Sequence, residues 1–170
     1  VKATLPSGAE LLTGIVQRDD SGRYYNAVVG AGEVTDVYRK SHLVPFGEYI
    51  PMEKQLRGII AFFDLPMSDF TAGNSEQGPI RAAGLRIGTA ICYEIIFPDL
   101  VAQRADNAEV LLTVSNDTWF GDSIGPLQHL QMAQLRALEN GRYVLRATSN
   151  GVTAIIDAQG HITQRAPRFE

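Results

Sequence analysis

The chain has 170 residues, 45% of them hydrophobic and 20% charged, with a formal net charge of −4. That length suits one domain around a single core. With no run of Lys or Arg, the sequence excludes a basic nucleic-acid-binding face, and nothing in it approaches the roughly 18 consecutive apolar residues of a membrane span. One cysteine, Cys92, leaves no internal disulfide. Val1 to Pro6 lacks the apolar segment of a signal peptide, no initiator Met is present, and the chain stops at Arg168-Phe169-Glu170. We read it as a single domain over 1–170 that is part of a longer protein, so missing targeting signals say nothing about location.

Leu11–Val16 (LLTGIV) is short, apolar and rich in branched residues, which predicts a buried strand. Asp19-Asp20-Ser21-Gly22 predicts a turn. Tyr24–Val29 and Glu33–Tyr38 flank a glycine-containing link and predict two further strands. Residues 39–51, with Pro45, Gly47 and Pro51, read as a loop, and Leu56–Met67 is the most apolar stretch. Leu85–Ile91 predicts a strand running straight into Cys92-Tyr93-Glu94, and Ile95–Ala105 a helix limited upstream by Pro98. Glu109–Ser115 predicts a buried strand and residues 116–125 a loop. A helix then opens near Pro126, carries Leu130, Ala133, Ala137 and Leu138 at helical spacing, and stops at Gly141. Tyr143–Thr148 and Val152–Asp157 predict strands joined by a hairpin at Asn150-Gly151, with a second turn at Gln159-Gly160. Helices interleaved with strands give an α/β or α+β class.

Cys92 lies at a predicted strand-to-helix corner, where a thiolate gains from the helix N-terminus; the competing reading is a small buried core residue. Lys40 follows a strand inside Tyr38-Arg39-Lys40-Ser41-His42. It either stabilises a thiolate and a developing oxyanion or is a solvated surface lysine. Glu48 and Glu94 either orient a lysine or act as a base, or are surface glutamates. His42 and His129 have no context that pairs them with Cys92, and His129 reads as a surface or packing residue. One Cys and three scattered His lack metal-ligand spacing. Trp119-Phe120 either line a pocket or membrane contact or form a satellite cluster beneath their loop. Leu56–Met67 is either a mobile arm at the site mouth or a buried core helix.

Together these pieces resemble the nitrilase superfamily. Tyr38-Arg39-Lys40-Ser41-His42-Leu43 is similar to its lysine motif, and Cys92-Tyr93-Glu94 with Phe97-Pro98 to its cysteine elbow. Within the superfamily, KSHLVPFGEYIP (40–51), Cys92-Tyr93-Glu94-Ile95, SNDTWFG (115–121) with Gly125-Pro126 and Gln128-His129, and RALENGRYVLRATSNG (136–151) resemble the apolipoprotein N-acyltransferases. The resemblance implies an α-β-β-α sandwich, here incomplete at both ends. It implies Cys92 as nucleophile, Lys40 as triad lysine, Glu48 as a further required glutamate, and Tyr93, Glu94 and Trp119 in supporting or substrate-binding roles. The triad's general-base glutamate is expected upstream of residue 1; Glu10, the nearest acid, lacks the expected surroundings, so the fragment alone is expected to be inactive.

The implied reaction moves an acyl group from a phospholipid donor, through a thioester on Cys92, to the α-amine of a diacylglyceryl-cysteine on a lipoprotein acceptor. It needs no metal or other cofactor. The implied location is the bacterial inner membrane, held there by membrane segments outside these residues, with the catalytic domain on the periplasmic face. A soluble nitrilase-like amidase or carbamoylase with the same Cys-Lys-Glu chemistry is the alternative. A non-catalytic binding module of the same fold is a third reading.

Overall fold

The computed structural model describes residues 6, 8–51 and 70–167. The first sheet is antiparallel, ordered β1 (Leu11–Arg18), β2 (Tyr24–Ala31), β3 (Val37–Arg39). The turn between β1 and β2 closes on Asp19, whose carboxylate accepts from the Ser21 hydroxyl and from the Ser21 and Arg23 N–H groups, while Gly22 takes a φ of 85°. The Ser21 hydroxyl, followed by the Arg23 contacts, holds the Asp19 carboxyl well below the usual range.

The second sheet has six strands in sequence order: β4 (Ile80–Ala82), β5 (Leu85–Ile91), β6 (Val110–Ser115), β7 (Tyr143–Thr148), β8 (Ala154–Ile156) and β9 (Ile162–Arg165). The β5–β6 and β6–β7 pairs are parallel and the rest antiparallel. Strand alternation builds two cores. Ile87, Ile91, Val110 and Leu112 face the first sheet and meet Val28 and Tyr38. Ala90, Leu111 and Val144 point the other way, onto helices α1 (Pro98–Ala105) and α2 (Gly125–Asn140), where Val101, Ala105, Leu130, Ala133 and Ala137 receive them. Central parallel strands covered on both faces need apolar residues at successive positions, which is why β5 and β6 read as apolar runs.

The expected two-sheet sandwich is therefore present, and helices cover the outer face of its larger sheet. Among the described residues no helix is long and apolar enough to cross a membrane. Leu56–Met67, expected to be an arm or a core helix, lies outside the described residues.

Several bounds differ from expectation. β3 is confined to Val37–Arg39 because residues 32–36 form a loop, with Val34 packed on Gly30 and Asp36 accepting from the Arg81 N–H. Residues 92–96 form a 3-10 turn, and α1 starts only at Pro98, whose missing N–H suits the first helical turn. On α2 Leu138 is exposed: at about 100° per residue it lies on the flank of the stripe made by Leu130, Ala133 and Ala137. β4 was not anticipated because its hairpin turns through Ala83-Gly84, φ 52° and 73°, where Asn-Gly or Asp-Gly is the usual signal. β9 was also unanticipated; it is short and exposed along its length.

Gly88 of β5 shows how tightly α1 sits. A Cβ there would lie 2.1 Å from the Arg104 carbonyl oxygen. Backbone cannot yield as a side-chain tip does, so Gly88→Ala should destabilise the fold by about 2 kcal/mol through overpacking. A urea midpoint unchanged from wild type would contradict that close approach.

Candidate active site

Cys92 ends β5 and begins the 3-10 turn with a φ of 49°. Non-glycine residues rarely occupy that left-handed region, which costs on the order of 1–3 kcal/mol and persists only where neighbours enforce it. The half-buried Cys92 is thus turned out of the strand at the C-terminal edge of the large sheet, the geometry of a nucleophile elbow.

Glu94 enforces much of this turn. It is fully buried. Its Oε2 accepts from the Ile91 N–H at 2.7 Å, and its Oε1 from the Ser41 N–H at 2.8 Å, the Ser41 hydroxyl at 2.9 Å and the His42 N–H at 3.0 Å. The Tyr38 phenol reaches both oxygens at 2.9 and 3.0 Å. Burial, together with the Glu94 charge, pushes the Tyr38 phenol far up, so it remains a donor. Positive charge arrives indirectly: Arg104 donates from Nη2 to the Ser41 hydroxyl at 3.1 Å and lies over the Tyr38 ring. One carboxylate thus ties the Lys40-Ser41-His42 segment to the turn that carries Cys92. The surface-glutamate reading of Glu94 does not hold.

Lys40 is 1% exposed, so the solvated-lysine reading fails as well. Its ammonium donates to both Glu48 oxygens, at 2.8 and 2.7 Å. Glu48 also accepts from the Val44 N–H at 2.7 Å and from the Asn26 side-chain amide. The Lys40 N–H in turn donates to the Asn26 carbonyl of β2. A buried ammonium held by both oxygens of a close carboxylate stays oriented.

Tyr93, His42 and Phe97 form an aromatic cluster beside the turn, with the His42 ring 3.9 Å from Phe97 and 5.9 Å from Tyr93. Trp119 and Phe120 separate: Trp119 is 81% exposed, whereas Phe120 approaches His129, ring centroids 5.8 Å apart. A cluster under the loop does not describe Trp119. Glu10 bonds the Ala83 N–H at the start of β5. The seven residues of β5 at about 3.3 Å each put it about 20 Å from Cys92, too far to serve as its base.

Three buried residues stand behind Cys92: Asp117 and Arg146, not singled out in the sequence, and His129, read there as a surface or packing residue. Asp117 accepts from Ser115 at 2.6 Å and from Arg146 Nη2 at 2.7 Å, and its Oδ1 lies 3.1 Å from Nδ1 of His129. Nε2 of His129 is 3.1 Å from the Cys92 carbonyl oxygen. Arg146 donates from Nε to the Val152 carbonyl, while its Nη1 has no partner among the described residues. In the sequence the three lie within SNDTWFG, Gln128-His129 and RALENGRYVLRATSNG, segments that carried the resemblance without assigning these residues a role. Burial pushes Asp117 up, but the His129 and Ser115 hydrogen bonds and the Arg146 charge outweigh it and hold its carboxyl below the usual range. Burial lowers the Arg146 guanidinium and the Asp117 charge offsets part of that.

A depressed carboxyl stabilises the fold fully above its unfolded value, about 3.9, and that contribution disappears as pH falls through the lower folded value. Asp117→Asn should therefore lower stability at neutral pH and flatten its loss below about pH 4; urea midpoints across pH check this, and parallel curves for variant and wild type would refute it. Among the described residues no three His, Cys, Asp or Glu side chains gather as a metal site would require.

The sequence profile of the carbon–nitrogen hydrolase family matches residues 7–170. An apolipoprotein N-acyltransferase of Azotobacter vinelandii is 55% identical over 169 residues, covering 97% of this chain and 33% of that protein. One of Pseudomonas aeruginosa is 54% identical over 166 residues, covering 95% and 32%. The chain thus spans about a third of the length of the curated relatives it matches. A carbon–nitrogen hydrolase from Helicobacter pylori superposes with a TM-score of 0.71 at 17% identity, over 96% of this chain and 60% of that one. Saccharomyces cerevisiae Nit3, of branch 10 of the nitrilase superfamily, gives 0.68 at 22% identity, over 91% and 54%. A sandwich of this topology, with a cysteine elbow at the edge of its larger sheet and a family match running through nearly all its length, places the chain in the carbon–nitrogen hydrolase family.

Proposed function

We propose that this chain is the catalytic part of a bacterial apolipoprotein N-acyltransferase, in which Cys92 carries the acyl group as a thioester. The observation that supports it most is the strained Cys92 elbow lying within a sequence more than half identical to proteins of that name. The thiolate attacks the ester carbonyl of a phospholipid; the tetrahedral intermediate collapses, the glycerol oxygen leaves as a lysophospholipid and takes a proton, and Cys92 holds the acyl group. The α-amine of a diacylglyceryl-cysteine at a lipoprotein's N-terminus then attacks, an amide forms, and the thiol is regenerated.

Lys40, anchored by Glu48, supplies positive charge where the oxyanion develops, and removing one such donor typically costs about 3–4 kcal/mol of barrier. Glu48 and Glu94 are engaged by lysine or backbone donors, and Glu10 sits at the far end of β5. The base that takes the Cys92 proton is the one the resemblance to the nitrilase superfamily implies, a glutamate of the longer protein upstream of residue 1. Tyr93, next to the nucleophile, and the exposed Trp119 are assigned to substrate contact. The enzyme acts at the bacterial inner membrane, its catalytic domain on the periplasmic face and held there by segments outside these residues.

Incubating the full-length enzyme with phospholipid should add the mass of one acyl group to Cys92, removable by hydroxylamine and discharged by a diacylglyceryl-cysteine peptide. Hydrolysis of small amides with no acyl adduct would favour the amidase reading instead.

A further inference from the structure

Cys92 needs its peptide held in the left-handed region, and Glu94 accounts for only one side of the turn. Glu94 fixes the Ile91 N–H ahead of the nucleophile. Behind it, the Cys92 carbonyl faces Nε2 of His129 at 3.1 Å. A carbonyl only accepts, so this nitrogen carries the proton. His129 is 4% exposed and reaches that carbonyl from α2, an element separate from the turn that carries Cys92. Its ring cannot turn freely, because Nδ1 lies 3.1 Å from Asp117 Oδ1 and Arg146 Nη2 grips the other oxygen of that carboxylate at 2.7 Å. Asp117 is clamped in turn by Ser115 and Arg146. Gly151 seals the arrangement: a Cβ there would meet Asp117 Oδ2 at 2.0 Å. Three charged or ionisable side chains are thus buried together, and His129 links them to the nucleophile's own peptide by a hydrogen bond.

We infer that His129 is a positioning residue, held by Asp117 and Arg146, whose Nε2–H pins the Cys92 carbonyl and so keeps the sulfur aimed at the ester carbon. The inference rests on Cys92 being the nucleophile. It assigns a role to the buried SNDTWFG carboxylate and to the arginine of the β7 strand, which act through His129. Misplacing a reacting atom by ~1 Å costs about 10²-fold in rate, so loss of the pin should appear in kcat and leave substrate binding alone.

The test uses the full-length enzyme with phospholipid and a diacylglyceryl-cysteine peptide. H129L removes the donor, and H129Q places an amide N–H near the position of Nε2. H129L should lower kcat about 10²-fold with KM within twofold of wild type, and H129Q should recover most of that loss. Equal kcat for folded H129L and wild type overturns the inference, as does a folded H129Q no better than H129L. Should H129L fail to fold, the near-isosteric D117N decides: it loosens the His129 ring and should lower kcat with KM unchanged, and an unaltered kcat overturns the inference. C92A in the same assay separates the two levels. An active C92A refutes the nucleophile itself, whereas an inactive C92A beside a fully active H129L refutes only the positioning role.

Discussion

Cys92→Ala in the full-length enzyme is expected to reduce acyl transfer by at least about 10⁴-fold, as removal of a covalent nucleophile does elsewhere. The variant loses one sulfur from a half-buried site and keeps the side-chain β-carbon at φ 49°, so its melting temperature should stay close to wild type. Cys92→Ser should be nearly as inactive, because a hydroxyl needs a stronger base and yields an oxygen ester that an amine attacks slowly. Lys40→Ala should slow formation of the acyl-enzyme by about 10²–10³-fold, the usual consequence of losing one oxyanion donor. That variant also leaves Glu48 without its ammonium partner, and stranding one member of a buried pair destabilises by about 3–5 kcal/mol. The Lys40→Ala/Glu48→Gln double variant restores charge balance, so a rate defect persisting there belongs to the lost donor. Turnover, the mass of the acyl adduct and thermal melting are measured on the same preparations. A Cys92→Ala enzyme that still transfers acyl groups at near the wild-type rate removes the basis for the proposed reaction.

Much of the sandwich was legible because its central strands are covered on both faces and so carry apolar runs that few other arrangements allow: β5, β6 and β7 stand within a residue of expectation. The misses cluster where local rules are silent. Ala83-Gly84 makes a hairpin with an alanine in a conformation that favours glycine or asparagine, and β4 went unseen with it. Gly151 gave a correct return of the chain for an incomplete reason. Its φ is not among the positive ones, and what it provides is room for the Asp117 carboxylate. Lys40 and Glu94 were recognised through motif order, since position alone argued for solvent. Asp117, His129 and Arg146 lie inside motifs that carried the same resemblance, but no role came with them. They come from a loop, a helix and a strand, and a polar side chain's burial depends on partners far away in the chain, which hydrophobic periodicity does not encode.

Glu94→Gln should damage stability and acyl transfer together. The carboxylate accepts from Tyr38, from the Ser41 N–H and hydroxyl, and from the N–H groups of His42 and Ile91. An amide has one accepting oxygen. Placed toward Ser41 and His42, it leaves its NH₂ facing the Ile91 N–H; placed toward Ile91, it sets the NH₂ against two backbone donors. Each stranded donor costs about 1–3 kcal/mol, and these backbone donors cannot rotate away. The change also removes the negative charge that Arg104 approaches through Ser41. The cheapest relief is for the 3-10 turn at residues 92–96 to relax and for Cys92 to leave its left-handed conformation. Glu94→Gln is therefore expected to lose about 2–5 kcal/mol of stability and, in the protein that remains folded, at least about 10²-fold in acyl transfer through displacement of the sulfur. Ser41→Ala removes only the hydroxyl bond and the Arg104 contact while keeping the backbone donors, so it should retain most activity. If Glu94→Gln instead melts and turns over like wild type while Ser41→Ala does not, the carboxylate is not what holds the elbow, and the coupling between the Lys40 loop and Cys92 runs through the hydroxyl and Arg104.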